Sequence, residues 1–407
     1  MVDDFQCRSC EARAGELVLD LGEQPLANNF LSPEDRDKFE PIFPLRLAVC
    51  TKCWLLQLTD LIPPAQLFSE YVYFSSYSNV WVKHAKDCSI RYREEFALDA
   101  DSFVIEIASN DGYLLRNFAE AGIPHLGIEP AENVAAVARE KGVQTRVDFF
   151  SEKLAKELAM EQQADLIIAY NVFAHVPDIN DFVAGLKGLL APGGRVILEF
   201  PYAAETITNG EFDTIYHEHV FYFTLCSLQT IFDRHDLRIT TVERTPLHGG
   251  SLRLFVRQEN HEADETVAAL LAEEKERGVM SLAFYQGFSD RADRIRKALR
   301  EQIATLLAED KTIAAYGAAA KGTILLNYCR LDTKQIAFVV DRSPHKQGRL
   351  MPGVHVPIVS ADKLAERAPE VTLLLAWNFM DEILGQQIAY RNAGGQFLIP
   401  IPKVRLL

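Results

Sequence analysis

Residues 103–115, Phe-Val-Ile-Glu-Ile-Ala-Ser-Asn-Asp-Gly-Tyr-Leu-Leu, constrain the fold of this chain more than any other stretch. Val104, Ile105 and Ile107 form a short apolar run that reads as a buried strand. Glu106 sits near its carboxyl end, and the small residues from Ala108 to Gly112 turn the chain into a helix. Strand, tight turn and helix make the opening unit of a parallel sheet flanked by helices. In open sheets of this kind, ligands bind beyond the carboxyl ends of the strands. The turn is not G-x-G-x-x-G. It lacks the glycines that let a backbone approach a pyrophosphate, which argues against a nicotinamide dinucleotide.

Further pieces follow in order. Leu126-Gly-Ile-Glu129-Pro130 reads as a second strand ending in an acid. An acid there suits a contact to both hydroxyls of a ribose. Thr145-Arg-Val-Asp148-Phe149 offers a carboxylate for an adenine amino group and a ring to cover the base. Asp165 to Val176 reads as a fourth strand and the loop after it, with Asn171 and His175 in that loop. Pro192-Gly193-Gly194 marks a turn before the strand Arg195–Phe200. The order and spacing of these pieces, from Phe103 to Phe200, resemble a class I methyltransferase. That resemblance implies S-adenosylmethionine, which carries no phosphate. Glu106 and Asp111 then meet its cationic end, with Asn110 and Gly112 shaping the turn. Glu129 and Pro130 hold the ribose, Asp148 and Phe149 the adenine, and Asn171 closes the fourth strand end.

The rest of the sequence sets limits. At 407 residues the chain suits two or three domains. No apolar run approaches the roughly 18 residues of a membrane span. The start, MVDDFQCRSC, lacks the basic and apolar regions of a secretory signal. A net charge of −15 argues against nucleic acid as a partner. Seven cysteines, an odd number, with no export signal predict the reducing cytoplasm and no disulfide framework.

Four of those cysteines form two pairs, Cys7-x-x-Cys10 and Cys50-x-x-Cys53. Two thiolates on one tight turn can both reach a metal at about 2.3 Å, and two such turns complete a tetrahedral zinc site. Four thiolates leave no open position, so the zinc is structural. Just beyond lies Tyr71-Val-Tyr73-Phe-Ser-Ser-Tyr77-Ser78. Its density of rings and hydroxyls reads either as a half-buried edge strand or as a segment that closes over a ligand.

The segment Tyr216-His217-Glu218-His219, followed by Val-Phe-Tyr222, comes after the fifth strand. Histidine titrates near neutral pH and can take a proton. His-x-His is also a possible metal pair, although no third ligand is evident nearby. Methylation at carbon needs such a base, because a C–H beside a carbonyl must be deprotonated. A tyrosine hydroxyl can then stabilise the enolate oxygen. His248-Gly-Gly-Ser251-Leu-Arg253 opens a later strand, where paired glycines suit either close backbone approach or a plain turn.

Residues 261–310 are charge-rich with helical periodicity and read as a bridge. After it, Thr312 to Thr323 reads as strand, glycine turn and helix. Lys321 precedes Gly322, so this is not a Walker A loop. Amides at the helix start, with Lys321, can hold a diphosphate. Ile336 to Asp341 is a second strand ending in an acid, followed by Arg342, His345, Lys346 and Arg349. Trp377 and Asn378 follow a further strand.

Taken together, the paired cysteine turns, E-x-x-x-N-D-G, Y-H-E-H, H-G-G-S-L-R and Y-G-A-x-A-K-G resemble the nucleotide-sugar C-methyltransferases of deoxysugar pathways. The resemblance covers essentially the whole chain. It implies an α/β fold: a zinc-binding domain over residues 1–75, a class I methyltransferase Rossmann-like domain over 76–260, and a helical bridge with a second Rossmann-like domain over 261–407. It implies His219 as the catalytic base, with Tyr216, Glu218 and His175 in support and Tyr71 or Tyr73 lining the site. Ser78 is expected at the donor. His248, Ser251, Arg253, Lys321, Asp341, Arg342, Trp377 and Asn378 are expected at a nucleotide-linked 4-ketosugar. A chain that encloses its own site is expected to be a monomer, with no membrane or nucleic-acid partner. The alternatives are a non-sugar acceptor, or a zinc-ribbon binding protein whose methyltransferase domain is inactive.

Overall fold

Residues 5–68, 75–77, 79–245 and 250–407 are described by the structure, a computed structural model. Three sheets follow one another along the chain.

The first sheet is antiparallel. Gly15–Pro25 (β1), Ile42–Cys50 (β2) and Leu56–Leu58 (β3) run side by side, and a distant strand, Phe221–Tyr222 (β9), completes it. This last pairing crosses the boundary expected at residue 75. A segment numbered with the central region thus belongs structurally to the N-terminal sheet.

The central sheet holds Val104–Ile107 (β4), His125–Ile128 (β5), Thr145–Arg146 (β6), Ala164–Tyr170 (β7), Leu190–Pro201 (β8), Leu237–Thr245 (β10) and Ser251–Gln258 (β11). Their order is β10-β11-β8-β7-β4-β5-β6. Strands β4 to β8 pair in parallel, while β11 and β10 are antiparallel additions. All four residues of β4 are buried, because helices cover both faces of a parallel sheet. The helix Ile179–Leu189 on one face starts where the Asp178 carboxylate accepts the amides of Asn180 and Asp181. Strand order reverses between β4 and β7, which opens a crevice at their carboxyl ends. A parallel sheet with helices on both faces is the class I methyltransferase fold expected from the sequence.

Helices Glu265–Glu276, Leu282–Tyr285 and Phe288–Ala308 form the bridge. The third sheet contains Ile313–Tyr316 (β12), Val339–Asp341 (β13), Ile358–Ser360 (β14), Val371–Leu374 (β15), Gln396–Ile399 (β16) and Arg405–Leu406 (β17). Its order, β14-β13-β12-β15-β16-β17, reverses between β12 and β15, and only β17 is antiparallel. A second crevice therefore lies at the ends of β12 and β15.

The first and third sheets share one apolar core. Leu19, Leu47 and Leu58 pack in the same cluster as Ile295, Leu299, Leu325 and Val340. The Thr323 hydroxyl donates to the Ala27 carbonyl at 2.8 Å, and Leu31 bridges Leu350. These contacts face the two crevices toward each other. No helix among the described residues is long and apolar enough to cross a membrane.

Candidate active site

The four knuckle cysteines converge. Cys7 and Cys53 sulfurs lie 3.6 Å apart and Cys10 and Cys50 sulfurs 3.5 Å, with all four within 4.8 Å of one another. Tetrahedral zinc with bonds of about 2.3 Å needs sulfurs about 3.8 Å apart, so the donor set fits. Both knuckles turn the same way. Glu11 and Trp54, each one residue past a second cysteine, take φ of 62° and 61°. Their amides donate to the Cys7 and Cys50 carbonyls at 2.8 Å.

A cavity of about 710 Å³ lies where the two crevices meet. At its donor end, the loop after β4 presents Ala108 and Asn110, both at positive φ. Glu129 stands opposite. One of its oxygens accepts the Asn110 amide and the other the Ala131 amide, each at 2.9 Å. Each oxygen keeps a lone pair, and the residue lines the cavity with Pro130. Burial raises the Glu129 carboxyl to about 7, against the pull of those amides. Asp148 and Phe149, after β6, line the same end, as does Asn171 after β7.

Three residues expected here do not line the cavity. Glu106 is buried beneath the turn and accepts from the Leu115 amide, and burial holds its carboxyl well above the usual range. Asp111 turns away and pairs with Lys141 at 2.9 Å and with the Ser76 hydroxyl. The left-handed backbone at Asn110 and Gly112 reverses the side-chain directions that an extended reading assumes. Gly112 is required by packing: a Cβ there would lie 2.8 Å from Val143 Cγ2. Tyr71, Tyr73, Ser78 and His248 lie outside the described residues.

The Tyr216–His219 segment enters from one side. Tyr216 hydroxyl and His219 Nε2 are 2.8 Å apart, and the His219 ring meets the His175 ring edge-on at 4.7 Å. All three residues line the cavity. Burial lowers His175 to about 4, so it is neutral at pH 7. Glu218 is buried, which raises it to about 7; the Asn28 amide donates to it at 2.7 Å and Lys346 offsets part of the shift. His217 points the other way and bonds the Pro44 carbonyl at 3.2 Å. The two histidines therefore do not form a metal pair.

The C-terminal crevice supplies the far wall: Ala319 to Lys321, Lys346, Ala376, Asn378 and Phe379. The Lys321 ammonium has no hydrogen-bond partner among the described residues and rests 4.2 Å over the Trp377 ring. Trp377 itself lies behind the wall, its indole N–H donating to Asp213 at 2.7 Å. Burial raises Asp213 to about 6 and Glu211 to about 7, and both stand near Lys321.

Four other expected acceptor residues lie elsewhere. Asp341 accepts the Ala318 and Ser343 amides at 2.7 and 2.8 Å, bracing the loop after β12. Arg342 faces a separate surface recess beside Glu382. Ser251 is buried in register with Pro201. Arg253 is sequestered with Glu199, at 2.8 Å, beneath the central sheet's carboxyl edge. The strand pairing of β11 with β8 points its side chain there, and no sequence motif reports that direction.

Sequence reasoning missed Asn28, Trp81, Tyr113 and Tyr170 in the lining. Trp81 stacks with Tyr113 at 5.9 Å and meets Tyr170 at 6.4 Å. Only Tyr170, at the end of a recognisable strand, carried a signal of position. Lys346 was noticed only as part of a basic run; the structure buries it, with its Nζ donating to the Ala318 carbonyl at 2.7 Å.

Comparison with known proteins covers the chain in three segments. Residues 7–68 match a family described as "Putative zinc binding domain", residues 83–242 a "Methyltransferase domain", and residues 246–402 a "C-methyltransferase C-terminal domain". The C-methyltransferase NovU of Streptomyces niveus is 38% identical over 405 residues, which is 99% of this chain and 96% of that protein. The chain belongs to the C-methyltransferase family. A ubiquinone biosynthesis O-methyltransferase of Bordetella avium (strain 197N) is 33% identical over 96 residues, 23% of this chain and 40% of that protein. Among solved structures, the magnesium protoporphyrin IX methyltransferase of Synechocystis PCC 6803 with bound SAM shares 16% identity at a TM-score of 0.33, covering 43% of this chain and 78% of its own.

This C-methyltransferase takes its methyl group from S-adenosylmethionine, and its N-terminal zinc-binding domain gathers four cysteines within reach of one ion. The cavity fits the donor. Among the described residues, its lining offers carboxylates at the ends of β5 and β6, an aromatic wall and no glycine.

Proposed function

We propose that this C-methyltransferase methylates a carbon beside the keto group of a nucleotide-linked 4-keto-deoxysugar. The observation that carries the reading is one cavity lined by a His–Tyr pair on one side and by the buried amines of Lys321 and Lys346 on the other. A base and an anion-binding wall in one enclosed space suit an acceptor that has both an acidic C–H and a phosphate.

Bound S-adenosylmethionine supplies an electrophilic methyl group. The chain's own residues do the rest. His219 takes the proton from the acceptor carbon, and the Tyr216 hydroxyl, 2.8 Å from Nε2, fixes the ring's direction. Neutral His175 packs against that ring and adds no repelling charge as the imidazolium forms. Hydroxyl and ammonium donors in the cavity stabilise the enolate oxygen. Lys321, held over Trp377, anchors the acceptor's diphosphate from the start of the helix Ala320–Cys329. Enclosure by the first and third sheets keeps water from the enolate.

His219→Asn tests the base. Turnover should vanish while calorimetry shows undiminished donor binding; near-full turnover would remove His219 from the role. Thermal-shift titration with thymidine and uridine diphosphates tests the acceptor class. Stabilisation by a nucleoside diphosphate, lost in Lys321→Met, is expected. No stabilisation by any of them would point to a non-sugar acceptor.

A further inference from the structure

The loop that carries His219 is held by the N-terminal sheet at almost every point. His217 bonds the Pro44 carbonyl and meets the Phe43 ring at 5.9 Å. Glu218 accepts from Asn28. The Val220 carbonyl accepts the Leu58 amide at 2.9 Å, and its own amide donates to Ala174, next to His175, at 2.7 Å. The next two residues, Phe221 and Tyr222, pair with Gln57 and Leu56. His219 is thus suspended between the zinc-binding sheet and the donor domain.

Gln57 links this arrangement to the metal. It is fully buried. Its Nε2 donates to the Cys7 sulfur at 3.3 Å, and its Oε1 accepts from both the amide and the guanidinium of Arg8 at 3.1 Å. Arg8 in turn donates to the carbonyls of Leu58 at 2.5 Å and Thr59 at 3.1 Å. A single buried amide side chain therefore joins a zinc ligand to the strand that pairs directly with the residues after His219. That pairing is only two residues long, so it has little cooperativity of its own.

We infer that the zinc site sets the position of His219 through Gln57, which acts as a positioning residue for the base. The N-terminal zinc is then part of how the acid–base loop is held, beyond stabilising its own domain. This rests on the reading of His219 as the base. With zinc gone, the thiolates lose the charge that gathers them. Cys7 no longer fixes Gln57, and the β3–β9 pairing frays. Among the described residues, the turn at residues 104–112 has no hydrogen bond to the strands β1, β2 and β3.

Hydrogen exchange measured by mass spectrometry on the full-length protein, with zinc bound and after chelation, tests this. Exchange in residues 216–223 should accelerate on zinc removal by roughly tenfold or more, while residues 104–112 stay unchanged. Gln57→Met should release zinc to a chromogenic chelator roughly ten times faster. It should also lower kcat at an unchanged donor KM. Unchanged exchange at 216–223, or equal acceleration at 104–112, overturns the inference. Should Gln57→Met fail to fold, the wild-type comparison still decides. A His219→Asn variant that retained turnover would remove the base reading while leaving the zinc-dependent exchange standing, so the two failures are distinguishable.

Discussion

Replacing Arg253 by Met separates two accounts of this residue. Its motif suggested a substrate contact, but the structure buries it. The guanidinium gives Nε and Nη2 to Glu199 at 3.1 and 2.8 Å, Nη1 to Glu243 at 3.3 Å and Nη2 to the Cys88 sulfur at 3.1 Å. It also lies over the Tyr170 and Tyr92 rings. Burial alone would raise the Glu199 carboxyl; His84 and Arg253 hold it below its ordinary value instead. Met fills similar volume but leaves that carboxylate with His84 alone. Breaking one partner of a buried pair costs about 3–5 kcal/mol. In a domain of this size, that lowers the melting temperature by roughly 6–20 °C. The assay is a thermal melt run beside initial rates with donor and acceptor varied in turn. The expected result is a large fall in melting temperature. An unchanged melt with a raised acceptor KM would refute the structural account and restore Arg253 to the substrate.

The remaining predictions concern the same neighbourhood and the donor turn. Burial would lower His84, but hydrogen bonds to Cys88 and Glu199 raise it from 6.5 to about 9. A raised histidine stabilises fully below pH 6.5 and loses that contribution as pH rises through about 9. Denaturation of wild type and His84→Gln across that window should show a difference that shrinks by on the order of 2–3 kcal/mol toward high pH; parallel curves would disprove the pairing. Gly112→Ala forces a Cβ into a left-handed turn and against Val143. It should cost about 1–2 kcal/mol from the backbone and about 1–3 more from the contact, seen as a lower melt and weaker donor binding by calorimetry. Glu129→Ala removes the acceptor of two loop amides and should weaken donor binding roughly 10–100-fold with the acceptor KM unaltered. Donor affinity unchanged in that variant would displace Glu129 from the donor site.

Much of the plan was legible because it follows from local rules. Val104 to Gly112 spelled strand and turn, since a short, β-branched apolar run bounded by small turn residues suits a strand buried between helices. The cysteine spacing implied one tetrahedral site because two sulfurs three positions apart reach one ion, and the four sulfurs do converge. Glu129, Asp148 and Asn171 were placed near a ligand by their positions at strand ends, and they line the cavity.

What sequence could not supply was direction. Asp111 and Arg253 belong to motifs that suggested contact with ligands, yet each points into a charge pair of its own. Positive φ at Asn110 and Gly112 rotates the first away from the cavity, and antiparallel register with β8 turns the second under the sheet. Neither torsion nor register is written in residue type. Distance along the chain hid the rest. Asn28 reaches Glu218 across 190 positions, and Gln57 meets Phe221 through a pairing of two short strands. Residue chemistry and spacing, acting over a few residues, marked by themselves the turn after β4, the two cysteine pairs and a histidine segment able to take a proton. Only the packing of three sheets decided that the candidate base would hang from the N-terminal sheet and share a cavity with Lys321 and Lys346, because those contacts exist only once distant strands share a core.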